Sequence, residues 1–364
     1  MLDVRQGSLC HVTGTIYLDL PLKPNILEDI SKDQWLSAPP PRAKYLSPSG
    51  EDKIMLEDES GRLRLVGTIL KAEELVTGVI VSVMGTENAE GEFEVVDLRV
   101  PDLAPQPPRP SNPEKGKVAI VSGLGISGDE VDSLTLELLM EYLLGEAGDA
   151  DPTITRLIIA GDSLAPPLPP PAHGAHPDNP STTTKKTSKK YGYDASSYNP
   201  APTTHLDTFL ATLLPSLPVT LIPGASDPAN VSLPQQPVHT SLFPHSRAYT
   251  SPPSTTLDAA AQEVKTGTFD PQTNPFSAFI SGLLFLGTGG QNIDDVFKYV
   301  EGDSRLDMME RLLRWRLIAP TAPDTLCQSS LPPSLLLFLP IHNKHNMLTT
   351  KSQGAIPSRT TTPL

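Results

Sequence analysis

Apolar and polar residues alternate in short runs over the first third of the chain. His11-Val12-Thr13-Gly14-Thr15-Ile16-Tyr17 alternates roughly, and Arg62-Leu63-Arg64-Leu65-Val66 alternates cleanly after a turn at Glu59-Ser60-Gly61. Each reads as a half-buried strand, with Lys53 to Asp58 as the strand leading into the turn. Val79 to Met84 is apolar enough for a buried strand. Asn88 to Gly91 then forms a hairpin loop, and Phe93 to Leu98 returns. Five or so strands of this length suit a small β-barrel such as the OB-fold.

The pattern changes at Lys117. Val118 to Val121 is a short apolar, partly β-branched run, and Gly123 to Gly128 turns the chain. Ser127 and Glu130 have capping-box spacing, which predicts a helix starting near Gly128 or Asp129. Val131, Leu134, Leu138 and Tyr142 share one face of it, widened by Leu136, Leu139, Leu143 and Leu144, so this helix is expected to be mostly covered. Leu157 to Ala160 is a second strand, stopped by Gly161-Asp162. Strand, helix and strand make one crossover unit, which favours a parallel sheet whose sites lie at the carboxyl ends of its strands.

A helix follows from His205 to Leu214, then a third strand from Pro218 to Ile222, ending at Pro223-Gly224-Ala225-Ser226-Asp227. Ala278 to Ile280 and Leu283 to Gly287 read as a hairpin, and Ile293 to Tyr299 as a helix. Another helix, Arg305 to Arg316, is expected to carry Leu306, Met309, Leu312 and Leu313 on one side, and Ala319 to Asp324 stops it.

Composition divides the chain further. Proline is 40 of 364 residues, about twice ordinary usage, and it concentrates between the elements. The expected organisation is a barrel over 1–103, a proline-rich linker over 104–114, an α/β domain over 115–326, and a disordered tail over 327–364. The α/β domain contains a disordered insertion at 166–202 and an irregular one at 249–269. Lys185 to Lys190 reads either as a solvated loop or as a weak nuclear-localisation patch.

A net charge of −14 argues against a broad nucleic-acid-binding surface. The barrel strands carry few aromatics, and Glu57, Asp58, Glu59, Glu73 and Glu74 are acidic. A protein-contacting or structural barrel is therefore favoured over one that grips single strands. Two cysteines, Cys10 and Cys327, lie near opposite ends. They argue against a disulfide framework or a zinc site built on cysteine pairs, and fit a reducing compartment. No signal peptide or membrane span is expected; the run Leu335 to Leu339 is far too short to cross a bilayer.

Two chemistries compete at the strand ends. Gly123 to Gly128 matches the G-x-G-x-x-G dinucleotide fingerprint, but Asp162 lies too far on to be the ribose-binding acid. Asp162 and Asp227 instead invite comparison with metallophosphoesterases, which place Asp, His and Asn at strand ends to hold two metals. No Asp-x-His stands at the first strand end, where the chain reads Ser122-Gly123-Leu124-Gly125. No Asn-His follows the third strand, where it reads Ser226-Asp227. A site without imidazole and with so few carboxylates would be weak, which leaves Asp162 and Asp227 as turn and cap residues. His173 and His176, in the first insertion, and His239 and His245 have no matching carboxylate cluster in sequence. No nucleophile elbow is present.

Longer strings carry a resemblance. Pro21 to Asp29, Met55 to Arg62, Val121 to Leu124, Leu233 to Pro237, Phe285 to Asn292 and Ala319 to Leu326 resemble the small (B) regulatory subunits of DNA polymerase delta, in a fungal-like form. The resemblance implies a two-domain chain of mixed α+β and α/β class, an OB-fold β-barrel followed by a calcineurin-like phosphoesterase-type domain. In that family the second domain has lost its metal site, so Asp162, Asp227 and Asn292 would be degenerate phosphoesterase positions, with no catalytic residue, no metal and no cofactor.

The resemblance further implies a nuclear scaffold in DNA replication and repair synthesis. Its partners would be the polymerase delta catalytic subunit, through that subunit's cysteine-rich C-terminal module, and a third, clamp-contacting subunit, with the polymerase zeta catalytic subunit as a further partner. DNA would be reached mainly through the complex, and no membrane is involved. An active metal-dependent phosphoesterase and a dinucleotide-binding enzyme are the alternatives. The family has more chain before Met1, and residues 327–364 do not resemble its continuation. A C-terminally incomplete phosphoesterase-type domain and a truncated or misassembled product are therefore expected.

Overall fold

The computed structural model describes residues 4, 6–24, 42–106, 116–128, 133–147, 154–166, 199–250 and 268–325. Several expectations lie outside these residues: Glu130 of the capping box, Val131, most of the linker, insertion residues 167–198 with His173, His176 and the lysine patch, residues 251–267, and the tail from 327 onward. The chain divides into two compact units. One holds residues up to Arg109 together with Ile293–Thr325; the other holds Pro110–Asn292.

The first unit is built on a closed barrel. Its strands are β1 (Cys10–Asp19), β2 (Lys53–Asp58), β3 (Gly61–Val66), β4 (Ile80–Glu87) and β5 (Phe93–Arg99), with a one-turn helix α1 (Ile69–Ala72) between β3 and β4. The order around the barrel is β1-β2-β3-β5-β4. β4 closes onto β1 antiparallel, and β3 pairs β5 in parallel. The alternation read from sequence sets the inside: Ile16, Leu18, Leu56, Leu65, Val81, Val83, Phe93 and Val95 are buried in one core. The Asn88 side chain shapes the β4–β5 loop by accepting the Glu90 and Glu92 amides at 3.0 and 2.9 Å.

The second unit is a four-stranded parallel sheet in the order β6-β7-β8-β9, where β6 is Lys117–Val121, β7 is Ile154–Ala160, β8 is Val219–Ile222 and β9 is Phe269–Pro271. Helices α2 (Ser133–Leu144) and α3 (Ala201–Leu213) contribute to the core on one face, with Leu157, Ile159, Val219, Leu221 and Phe269 of the strands. On the other face, a ribbon of β10 (Phe276–Ile280) and β11 (Leu283–Gly287) packs Phe276, Ile280 and Phe285 against Ile158 and Ile222. Both faces are occupied, as the continuous apolar run of β7 requires. Arg156 is buried in that run. Its guanidinium donates to Thr220 Oγ1 at 3.0 Å; burial lowers its pKa, and Asp270 opposes the shift.

Three readings are corrected. The face of α2 expected to be covered is open: Leu134, Leu138 and Tyr142 are exposed, while Leu136, Leu139, Met140 and Leu143 meet the core. Residues 201–202, expected within the insertion, begin α3. The chain continues through α4 (Gln291–Val296), α5 (Arg305–Trp315) and α6 (Ala322–Thr325). On α5 the inward residues are Met308, Leu312 and Trp315, whereas Leu306, Met309 and Leu313 face outward. Residues from Ile293 on, within the expected span 115–326, group with the barrel in the first compact unit. Their apolar side chains Val296, Tyr299, Met308, Leu312 and Trp315 join the barrel's core cluster.

Candidate functional site at the strand ends

The carboxyl ends of β6, β7 and β8 converge, and their close approach is made by glycine. A Cβ on Gly161 would stand 2.7 Å from the Gly289 carbonyl oxygen, and one on Gly224 only 2.1 Å from the Asp162 amide nitrogen. A Cβ on Gly289 would lie 2.4 Å from the Pro223 carbonyl oxygen. These contacts leave no space for side chains at the three positions, so loops from β7, β8 and β11 meet backbone to backbone.

The glycine loop after β6 is committed in the same way. Gly123 and Gly125 donate their amides to the Gly161 and Asp162 carbonyls at 3.1 and 3.2 Å, and Ile126 donates to Ser163 at 3.0 Å. In a dinucleotide fold, amides of this loop face a pyrophosphate; here they continue the parallel pairing of β6 with β7. Gly128 lies where a Cβ would be 2.9 Å from Ala201 at the start of α3.

Asp162 adopts a left-handed backbone conformation, φ 53°. Its Oδ1 accepts from the Ser226 amide at 3.2 Å, and the Ser226 hydroxyl lies between that oxygen at 3.1 Å and the Leu164 carbonyl at 2.6 Å. Asp227 is 6% exposed, and both of its oxygens are used: Oδ1 accepts the Leu164 amide at 3.1 Å, and Oδ2 the Gly224 amide at 2.7 Å. Burial raises its pKa. The amides of Gly224 and Leu164 oppose the rise, and the nearby Asp162 charge adds to it.

An amide network continues the site. Asn274 Oδ1 accepts the Gly289 amide at 3.1 Å, and its Nδ2 lies 2.8 Å from Gln291 Oε1 and 3.1 Å from Gln235 Oε1. Gln235 Nε2 donates to the Gly224 carbonyl at 2.9 Å, and Gln291 Nε2 to Gln235 Oε1 at 3.0 Å. Asn292 is buried in the first turn of α4, next to Gln291. The structure thus brings Asp162 and Asp227 together with four residues the sequence reading passed over, Ser226, Gln235, Asn274 and Gln291. Leu233-Pro234-Gln235-Gln236-Pro237 stood out only as a string, and the burial of Gln235 has no signal in the sequence.

Each Asp227 oxygen accepts a backbone amide, Asp162 Oδ1 accepts from Ser226, and Gln235, Asn274 and Gln291 are hydrogen-bonded to one another. Among the described residues, no group of three or more His, Cys, Asp or Glu is placed to hold a metal ion. His239 lies on the surface, its Nδ1 2.7 Å from the Ser241 hydroxyl.

A closed barrel is thus followed in the chain by a parallel sheet whose strand ends meet backbone to backbone. Residues 1–98 match the DNA polymerase delta subunit OB-fold domain, and residues 118–339 match the DNA polymerase alpha/epsilon B-subunit family. The second match runs past Leu326, beyond which no family likeness was expected. The chain is 35% identical over 332 residues to the DNA polymerase delta small subunit of Arabidopsis thaliana, covering 90% of this chain and 68% of that protein. It is 34% identical over 363 residues to the Saccharomyces cerevisiae small subunit, covering 90% and 66%. With DNA polymerase delta subunit 2 of Drosophila melanogaster it shares 34% over 319 residues, covering 87% and 67%. The chain belongs to the DNA polymerase delta small-subunit family.

Proposed function

We propose that this chain is a non-catalytic accessory subunit of DNA polymerase delta, acting in the nucleus in DNA replication. The observation that carries the reading is its likeness to polymerase delta small subunits along 90% of its length. The strand ends support the non-catalytic part: the positions where a phosphoesterase would hold metal are spent on backbone amides. Asp162, Asp227 and Asn292 are then structural remnants of such a site, and the phosphoesterase-type domain is inactive.

A scaffold works by presenting surfaces, and both units have apolar ones. The barrel unit exposes Leu306, Met309 and Leu313 along α5. The sheet unit exposes Leu134, Leu138 and Tyr142 on α2, and Phe279, Leu284 and Leu286 on the outer face of the ribbon. Contiguous exposed apolar residues are typical of surfaces that bind other proteins. The partners in this reading are the catalytic subunit, through its cysteine-rich C-terminal module, and a third subunit that reaches the sliding clamp. In the barrel, Arg62 pairs with Glu57 and Arg64 with Glu92, which leaves little free positive charge for DNA on those strands.

A pull-down with the tagged C-terminal module of the catalytic subunit tests the reading. Retention of the full chain on that module is expected. A folded chain that flows through, and that hydrolyses a phosphodiester with Mn²⁺ in a manner lost on Asp227→Ala, would replace the scaffold with an enzyme.

A further inference from the structure

The barrel has only a one-turn helix, α1, between β3 and β4. Leu70, Leu75, Val76 and Val79 around it are buried, and they share a core cluster with Val296, Tyr299, Val300, Met308, Leu312, Trp315 and Leu317. The apolar end that four helical residues cannot cover is thus covered by a segment far downstream. The fit is close: Gly78, at φ 95°, has no room for a Cβ, which would lie 2.0 Å from the Pro320 carbonyl oxygen. Tyr45 meets Tyr299 edge to face at 5.4 Å, and Lys44 donates to the Glu301 carbonyl at 2.7 Å.

Three arginines fasten α5 and its end. Arg311 donates to the Glu73 carbonyl across 238 residues of sequence and lies 3.6 Å from the Glu74 carboxylate. Arg314 spans Glu310 and Asp102, both at 2.7 Å. Arg316 donates to three successive carbonyls, those of Pro101, Asp102 and Leu103, at 3.1, 2.7 and 3.1 Å. These carbonyls belong to the chain as it leaves β5. Asp102 and Arg316 both have left-handed backbones, φ 60° and 57°. Non-glycine residues hold that conformation only where their surroundings over-determine it.

We infer that residues 293–325 are a latch. They complete the barrel unit, and through Arg314 and Arg316 they fix the direction in which the chain leaves β5. The barrel matched over residues 1–98 is therefore not autonomous in this protein. Its surfaces reach their final form only after the chain has been made past the sheet unit and has returned. This closure over long sequence separation makes barrel folding wait on downstream synthesis. The inference does not depend on the polymerase reading.

Hydrogen-exchange mass spectrometry on the full chain tests it, comparing wild type with Leu312→Ala and with the surface double variant Arg314→Ala/Arg316→Ala. Leu312→Ala should raise exchange in β1 and β4 by about tenfold or more while β7 and β8 keep their protection. The double variant should raise exchange in residues 97–103 and 305–316. Unchanged barrel strands beside a freely exchanging α5 would overturn the latch, as would equal loss of protection in both units. Unchanged exchange at 97–103 in the double variant would overturn the role of the arginines.

Discussion

The two units solve the same problem, closing an exposed end of a sheet, by opposite means. In the barrel unit, large side chains carried in from residues 293–325 cover the end: Met308, Leu312 and Trp315 are all buried in the barrel's core cluster. In the sheet unit, the strand ends are closed by backbone. Glycines 161, 224 and 289 bring the loops into contact, and Asp227 caps two amides at once. The first closure rests mainly on buried apolar area, with one tight backbone approach at Gly78; the second rests on backbone contact and hydrogen bonds. At these strand ends the two carboxylates and three amide side chains are engaged in hydrogen bonds to backbone and to one another.

The largest expected effect tests the apolar closure. Trp315→Ala should cost about 3–5 kcal/mol in the barrel unit. Urea denaturation read by hydrogen exchange should show barrel strands opening early and β7 and β8 opening at their wild-type midpoint. Next is the backbone closure. Gly224→Ala places a Cβ 2.1 Å from the Asp162 amide nitrogen, and should cost the sheet unit about 1–3 kcal/mol by overpacking. Its signature is loss of amide protection at Asp162 and Leu164 with the barrel untouched.

Acid should move the two units in opposite directions. In the barrel unit, the Ser60 hydroxyl holds the Asp58 pKa down to about 2, and the Leu103 amide, followed by Arg314, lowers that of Asp102. Such carboxylates add stability above the ordinary value of 3.8, and that stability is lost as pH falls through the lowered values. In the sheet unit, burial raises Asp227 and Asp270. Their contribution is fully present below 3.8 and is lost as pH rises through the raised values. Urea midpoints for each unit across a pH series should therefore diverge on acidification. Asp227→Asn should flatten the sheet unit's slope; an unchanged slope would assign the pH dependence elsewhere.

The smallest effect on stability is expected at the exposed stripe of α5. Leu306→Ser and Met309→Ser should shift the barrel unit's melting by within about 0.5 kcal/mol. A larger loss would mean that these side chains face the barrel after all.

Strand positions were legible because burial on a pleated sheet writes itself as alternation, or as an unbroken apolar run. β3 and β7 illustrate the two cases. The helices were harder for a physical reason. Leu306-Asp307-Met308-Met309-Glu310-Arg311-Leu312-Leu313 carries apolar residues on two faces, so periodicity alone could not say which one meets the core. α2 has the same ambiguity, and there the wider set of leucines is the buried one. The grouping of residues from Ile293 on with the barrel was not legible, because no break in composition marks it. At the strand ends, Asp162 and Asp227 drew attention as carboxylates. Gln235, Asn274 and Gln291 did not, because neutral amides far apart in sequence give no local signal until the fold joins them.

The central claim, an accessory subunit without chemistry of its own, is tested most directly by light-scattering mass measurement. The full chain would be co-expressed with the polymerase delta catalytic subunit, and phosphodiester hydrolysis assayed with Mn²⁺ on the same fractions. The account predicts a single species with the summed mass of the two chains, and hydrolysis unchanged by Asp227→Asn. A folded chain that elutes alone, with hydrolysis abolished by that substitution, would contradict it.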